Sequence, residues 1–242
     1  MKYYLKMYND DNMRIYSHIG KDKKLLKFEK NNKTSEEEKE RISISRTKRN
    51  IRELALCNNW EYFVTWTVNS FNADRFSLQA TQDLMHKTLK AYQRKHKDFK
   101  YLFITEKHKN GAFHFHGFIK NIGSYKVNSN GYLTITDFEE KIGFFSMSQI
   151  KDYTKCCNYI TKYITKDCIK NEKNQIYFCS KGLKKAESEE IFSFDYQFMK
   201  DYFMDFSFRN EYSQILDFKV SDLSNIQKFY LSQLKFKKDI DI

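Results

Sequence analysis

The stretch KYLFITEKHKNGAFHFHGFI, residues 100–119, decides the fold of this chain. Its two ends, KYLFITE and AFHFHGFI, are rich in aromatic and β-branched residues, which is typical of β-strands. They are joined through His108, Lys109, Asn110 and Gly111. An Asn-Gly pair between two such runs is a strong signal of a β-hairpin. We therefore expect two adjacent antiparallel strands here.

The sequence on either side of this hairpin supplies the other elements. YFVTWTV, at 62–68, predicts a strand with Val64, Trp66 and Val68 on one face. Spacing and capping signals predict helices over about 34–57, 77–97 and 148–166, a loop-and-hairpin region over 121–147, a strand at 174–180, and short strand-like pieces within 1–33. This order predicts an α+β fold, an antiparallel β-sheet with flanking helices, which we place on one face of the sheet.

The charge of the chain favours a polyanionic partner. Lys and Arg number 43 against 31 Asp and Glu, a formal net charge of +12, and aromatic residues make up 17% of the chain. Cations attract phosphates and rings stack on bases, so nucleic acid is the first candidate. Nine Lys and Arg lie within 81–120, whereas 187–208 is acidic, so a polyanion should avoid the latter. A solvated charged face is the alternative for both runs.

Cysteine usage and apolar runs bear on the compartment. The chain has 5 Cys, an odd number without a C-x-x-C pair, which indicates neither a disulfide framework nor a zinc ribbon. The first residues, MKYYLKMYNDD, lack the apolar core of a signal peptide, and no apolar run approaches the length of a membrane span. We expect a reduced, cytoplasmic protein.

His114 and His116 are the first candidate functional residues. Side chains alternate along a strand, so both imidazoles point to the same face and can hold one metal ion. A lone H-x-H is a weak signal, and chance placement is the alternative. Phe113 and Phe115 alternate with the histidines, which assigns the apolar face to a core and the histidines to the open side of the sheet.

Glu106, on the partner strand, is the nearest carboxylate, and the loop length decides whether it can reach the histidines. A strict two-residue turn would place Lys107 opposite His114. A three-residue loop with Gly111 in the left-handed conformation would place Glu106 there, on the same face. Two imidazoles and a carboxylate with open positions suit a catalytic divalent ion, Mg²⁺ or Mn²⁺, with Zn²⁺ or Fe²⁺ also open.

The repeat YITKYITK, residues 159–166, supplies a second candidate group. Tyr159 and Tyr163 are four residues apart, so on a helix they project from one face, with Ile160 and Ile164 on a neighbouring face that can bury. A lysine follows each tyrosine at the third place, and a nearby cation favours the phenolate, which is the nucleophilic form. The alternative is a tyrosine pair that packs in the core.

Four segments together resemble a known family. They are FVTWTV at 63–68, EKHKNGAFHFHG at 106–117, YITKYITK at 159–166 and YFCSKGLKK at 177–185. Their order and spacing resemble the three motifs and the following strand of the HUH endonucleases. The closest likeness is to the two-tyrosine rolling-circle replication initiators (Rep) of small phages and plasmids, whose sheet is of the ferredoxin or RRM type. The resemblance covers about residues 45–185.

The resemblance implies roles for the metal-site residues. It implies His114 and His116 as ligands of a divalent metal, Mg²⁺ or Mn²⁺, and Glu106 as the third ligand. Thr65 and Thr67, in the first motif, are expected near the DNA without an assigned role.

The resemblance also implies the nucleophiles and the reaction. Tyr159 and Tyr163 would attack the scissile phosphate, with Lys162 near the phosphate or the metal and Lys166 as its counterpart. The reaction would be site-specific nicking of single-stranded origin DNA, which leaves a 5′-phosphotyrosine link and a free 3′-hydroxyl, followed by strand rejoining.

Domain organisation and partners follow from the same resemblance. We divide the chain into an N-terminal extension and lead-in helix (1–44), a nicking domain (45–185) and an acidic aromatic C-terminal segment (186–242). The sequence contains no G-x-x-x-x-G-K-[ST], so no helicase domain is expected in cis. The expected partners are a single-stranded replication origin and a helicase and polymerase of a bacterial host.

Two rival functions fit part of the sequence. A non-catalytic, ferredoxin-like single-strand binding module would explain the basic and aromatic composition, but not the joint occurrence of Glu106, H-x-H and the tyrosine pair. A non-haem iron or cupin-like oxygenase would use H-x-H with a carboxylate, but it gains nothing from the positive charge or the tyrosines. Metal-dependent cleavage with a covalent 5′ adduct separates the three functions.

Overall fold

The computed structural model describes residues 2–18, 35–164, 176–191, 208–209 and 213–236. The chain divides into two compact units, Ser35–Lys184 and a unit that combines Met1–Thr34 with Lys185–Ile242. The division made from the sequence treats the two ends of the chain as separate segments, whereas the structure groups them. The helix expected to lead into the nicking domain also lies wholly in the larger unit.

The larger unit is built on a seven-stranded antiparallel sheet. Numbered along the whole chain, its strands are β3 (Tyr62–Val68), β4 (Lys100–Lys107), β5 (Phe113–Lys120), β6 (Lys126–Val127), β7 (Leu133–Thr134), β8 (Gly143–Gln149) and β9 (Tyr177–Cys179). They lie in the order β6-β7-β8-β3-β5-β4-β9. The predicted strand and hairpin therefore occupy the middle of the sheet, and the predicted α+β class is confirmed.

β3 has the bounds that its sequence predicts, because one face is continuously apolar. Val64, Trp66 and Val68 are buried, and they pack with Phe103 and Phe115 in the main hydrophobic core. The alternate residues of β3 are only half-buried and lie on the opposite face of the sheet.

Four α-helices flank the sheet in the larger unit: α1 (Glu36–Leu56), α2 (Leu78–Lys95), α3 (Thr136–Lys141) and α4 (Tyr153–Tyr159). Ser35 caps α1 by accepting a hydrogen bond from the Glu38 amide at 3.2 Å. On one face of the sheet, α2 and α3 contribute Met85, Leu89 and Phe138 to the main core.

The opposite face of the sheet is also partly covered, so the prediction of helices on a single face is wrong. A 3₁₀ turn over Ile160–Tyr163 follows α4 and contacts β4 and β5, and α1 packs against both α4 and this turn. The predicted helix over 148–166 is also corrected at its start. β8 continues to Gln149, and Asp152 caps α4 by accepting from the Lys155 amide at 3.0 Å.

The hairpin has the three-residue loop that one of the two registers required. His108 donates its amide to the Ala112 carbonyl at 2.8 Å, and Gly111 has a φ of +89°. Glu106 is consequently paired with His114 across the two strands, and Lys107 with Phe113. The register that brings Glu106 to the histidine face is confirmed.

The second unit contains a five-stranded antiparallel sheet with its own core. Its strands are β1 (Lys2–Met7), β2 (Asn12–His18), β10 (Glu187–Ile191), β11 (Phe208–Arg209) and β12 (Ser213–Lys219), in the order β10-β1-β2-β12-β11. Leu5, Met13 and Ile15 pack with Leu216 and Leu231, the last from helix α5 (Asn225–Phe236). None of the helices in the described ranges is both long and apolar enough to cross a membrane.

Candidate active site

His114 and His116 lie side by side on the face of β5 that points away from the main core. Phe115, between them, is fully buried in that core. His116 is buried and His114 is half-buried. The strand therefore sorts its aromatic residues from its imidazoles, as the alternation predicts.

Glu106 reaches the histidine pair, although not the histidine that it directly opposes. Its backbone pairs with His114, but its Oε2 lies 2.8 Å from Nε2 of His116. The carboxylate thus spans the diagonal of the two-strand ladder. The structure brings all three predicted metal ligands to one place on the sheet.

Two threonines of β3 contact the other nitrogen of each ring. Thr65 Oγ1 lies 3.3 Å from His116 Nδ1, and Thr67 Oγ1 lies 3.0 Å from His114 Nδ1. The register of β3 on β5 pairs Thr65 with His116 and Thr67 with His114, which explains both contacts. From the sequence these residues were expected only to lie near DNA.

The surroundings favour neutral imidazoles at this site. Burial lowers the pKa of His114, and the neighbouring His108 lowers it further. Burial also lowers the pKa of His116, although the Glu106 carboxylate opposes this effect. The ring of His108 lies 5.0 Å from that of His114, a neighbour that sequence reasoning missed because it belongs to the hairpin loop. A neutral imidazole keeps the lone pair that a metal ligand needs.

Tyr159 and Tyr163 converge on the histidines although they do not share one regular helix. Tyr159 is the last residue of α4, and Tyr163 ends the 3₁₀ turn. The Tyr163 hydroxyl donates to the Tyr159 hydroxyl at 2.9 Å, and the Tyr163 ring stacks on the His116 ring with 3.9 Å between centroids and 11° between planes. Ile160 and Ile164 are buried, as predicted.

The two phenols have different environments. Tyr159 is 44% exposed, whereas Tyr163 is half-buried, and burial together with the hydrogen bond to Tyr159 holds the pKa of Tyr163 well above its usual range. Lys162 Nζ lies 5.1 Å from the centre of the Tyr159 ring, over its face. In the described site, therefore, the surroundings disfavour the Tyr163 phenolate. Lys166, the other predicted lysine, lies outside the described residues.

The donor groups suit a divalent metal in their chemistry but do not form a closed set of three. Within the described ranges, no three His, Cys, Asp or Glu side chains converge closely enough to hold an ion as they stand. The nearest approach to such a set is the Glu106 and His116 pair with His114 beside it. Two neutral imidazoles, each engaged at Nδ1, and one carboxylate are an appropriate donor set for a catalytic ion.

The same face of the sheet carries exposed aromatic rings next to the histidines. Phe144 of β8 pairs with Thr67, is 40% exposed, and meets Tyr132 edge to face at 5.6 Å. Phe71, in the loop after β3, is 95% exposed. Exposed rings at a polar site are a typical surface for stacking bases.

Comparison with known proteins agrees with the site. Residues 61–168 match the family model for replication-associated proteins of the ORF2 type. This segment is less than half of the 242 residues, but it contains both histidines, Glu106 and both tyrosines. The match supports a replication-associated protein of the initiator type. Comparisons with curated proteins and with solved structures found no match.

Proposed function

We propose that this protein initiates rolling-circle DNA replication as an HUH-type endonuclease and strand transferase. It nicks single-stranded origin DNA at a specific site by tyrosine attack and later rejoins the strand. The observation that carries the proposal is the convergence of a tyrosine pair on two histidines and a carboxylate. The Tyr163 ring stacks on His116, and Glu106 lies within hydrogen-bonding distance of the same imidazole.

The reaction exchanges one phosphodiester for another. A phenolic oxygen of Tyr159 or Tyr163 forms a bond to phosphorus and loses its proton, and the bond from phosphorus to the 3′ oxygen breaks. The 3′ oxygen gains a proton and leaves as a free hydroxyl, while the 5′ phosphate stays on the tyrosine. Lys162, and Lys166 by analogy, would neutralise charge on the phosphate. Attack by a 3′-hydroxyl on the phosphotyrosine reverses the exchange and rejoins the strand.

Glu106, His114 and His116 would hold Mg²⁺ or Mn²⁺. When bound, the ion supplies charge stabilisation at the phosphate oxygens. The chain contributes the donors, keeps the imidazoles neutral by burial, and places the Tyr163 ring against His116.

The substrate fits the surface around these residues. Phe144, Tyr132 and Phe71 offer rings for unpaired bases, and duplex DNA would hide those bases. The basic residues of α2 and the hairpin supply attraction for the backbone. Further proposed partners are a helicase and a polymerase of a bacterial host, with the protein acting in the cytoplasm.

The test is the capture of covalent adducts from a pool of random single-stranded oligonucleotides with Mn²⁺. We expect the unmodified protein to retain DNA after denaturation, and sequencing of that DNA to show one common 5′ end. Tyr159→Phe combined with Tyr163→Phe should capture nothing. His114→Ala with His116→Ala should also capture nothing but still bind single strands, because the phosphate attraction comes from Lys and Arg elsewhere.

The matched control is His86→Ala. This half-buried histidine belongs to α2, on the other face of the sheet, and packs against Phe178 at 4.9 Å. It should keep wild-type capture. Adducts from the double tyrosine variant would overturn the chemistry. Binding of single strands by the unmodified protein without any adduct would instead favour the non-catalytic binding module.

A further inference from the structure

We propose that Thr65 and Thr67 are positioning residues that fix the orientation and the protonated nitrogen of the two histidines. Their hydroxyls hold Nδ1 of His116 and His114, so that Nε2 of each ring is directed to the metal. This inference rests on the proposed function, because it assigns a task to a metal site.

The contacts follow from the sheet. Thr65 and Thr67 lie on the same face of β3, two residues apart, and each pairs directly with one histidine of β5. The hydroxyl to Nδ1 distances are 3.3 Å for Thr65 and 3.0 Å for Thr67. A β-branched side chain has few χ1 rotamers, so each hydroxyl has a nearly fixed position. The two threonines therefore hold both rings as a pair.

A hydroxyl suits this task because it can donate or accept. With a proton on Nε2 of His116, that nitrogen donates to Glu106 and the Thr65 hydroxyl donates to Nδ1. With Nε2 free to bind an ion, the proton sits on Nδ1 and is donated to Thr65. The hydrogen bond persists in both states. A carboxylate at the threonine position could only accept, and so would support only one of them.

The opposite face of β3 shows what the hydroxyl adds. Val64 and Val68 alternate with the threonines and pack in the core. Valine has nearly the shape of threonine and a similar preference for strands. Thr→Val therefore removes the hydroxyl with little change of shape, whereas Thr→Ser keeps the hydroxyl and removes a methyl group.

The first experiment measures the affinity of the full chain for Mn²⁺ alone by electron paramagnetic resonance. Removal of such supporting bonds typically costs 10–100-fold in metal affinity. We expect Thr65→Val with Thr67→Val to lose about that much and Thr65→Ser with Thr67→Ser to stay within about threefold of the unmodified protein. Ser146→Ala is the matched control, because Ser146 lies on the same face, opposite Thr65 on β8. It should bind Mn²⁺ normally.

The second experiment reads the protonated nitrogen directly by ¹⁵N NMR of the histidine rings with Mg²⁺. In the unmodified protein both rings should carry the proton on Nδ1 once Mg²⁺ is added. In the valine variant the rings should show a mixture of the two forms under the same conditions. A loss of general packing would not separate the valine from the serine variant in this way.

Each outcome decides between two statements. If the unmodified protein binds Mn²⁺ and the valine variant binds it equally well, the inference is wrong and the proposed function stands. If the unmodified protein neither binds Mn²⁺ nor forms DNA adducts, the proposed function itself fails. If the double valine variant does not fold, Thr67→Val alone is compared with Thr67→Ser at the His114 ring, and equal affinities there overturn the inference.

Discussion

The two single tyrosine variants should differ in how adduct formation depends on pH. Tyr163→Phe leaves only Tyr159, the more exposed phenol, as the nucleophile. Tyr159→Phe leaves only Tyr163, whose pKa is raised chiefly by burial. Attack needs the phenolate, so a raised pKa lowers the reactive fraction at neutral pH, and the rate must rise further with pH before it levels off.

The size of the difference follows from the environments. Each unit of pKa corresponds to about 1.4 kcal/mol, or tenfold in the phenolate fraction. The hydrogen bond between the hydroxyls is lost in both variants, so burial is the difference that remains. Tyr163 is still partly exposed, and solvent screening reduces the effect. We therefore expect Tyr163→Phe to form adduct about tenfold faster than Tyr159→Phe at pH 7.

The assay is single-turnover adduct formation on a labelled oligonucleotide that the unmodified protein cuts, from pH 6.5 to about 10. The ratio of the two rates should be largest at neutral pH and shrink as the pH rises. Mapping of the phosphotyrosyl peptide confirms which tyrosine has reacted. Equal rates at every pH, or a faster Tyr159→Phe variant at pH 7, would refute the reasoning from burial.

Three further changes test other parts of the structure. Gly117→Ala should lower the free energy of unfolding by about 1–3 kcal/mol in urea titrations, because its Cβ would overlap the Leu102 carbonyl and the Phe103 ring. Phe144→Ala should weaken single-strand binding by about 1–3 kcal/mol in fluorescence anisotropy, and Phe144→Trp should not. Glu106→Gln should weaken Mn²⁺ binding at least about tenfold by calorimetry while the melting temperature is kept, since a neutral amide is a poorer ligand.

Local pattern was enough to predict the centre of the larger sheet. The bounds of β3 follow from strict alternation of buried and half-buried residues. The register of the hairpin follows from one loop, in which Gly111 adopts a positive φ that most other residues avoid. These features depend on neighbours in sequence, and they placed Glu106 and both histidines on one face before any long-range contact was known.

Features that depend on distant parts of the chain were not predicted. The contacts of Thr65 and Thr67 with the histidines require the pairing of β3 with β5, about fifty residues apart in sequence. The position of β12 between β2 and β11 requires pairing across almost the whole chain. The start of α4 was also missed, because the apolar alternation of Phe145 and Met147 belongs to β8, which continues into residues that were assigned to a helix.

The repeat YITKYITK thus gives two tyrosines that are the same in sequence and different in structure. The first ends α4, and the second ends a 3₁₀ turn that brings its ring flat against His116. One hydroxyl donates and the other accepts, so the pair cannot be symmetric while both are unreacted. Esterification of Tyr159 with DNA would replace its hydroxyl proton with a phosphate and leave the Tyr163 proton to be shared with a more negative neighbour. An alternating scheme in which Tyr159 attacks first follows from this asymmetry.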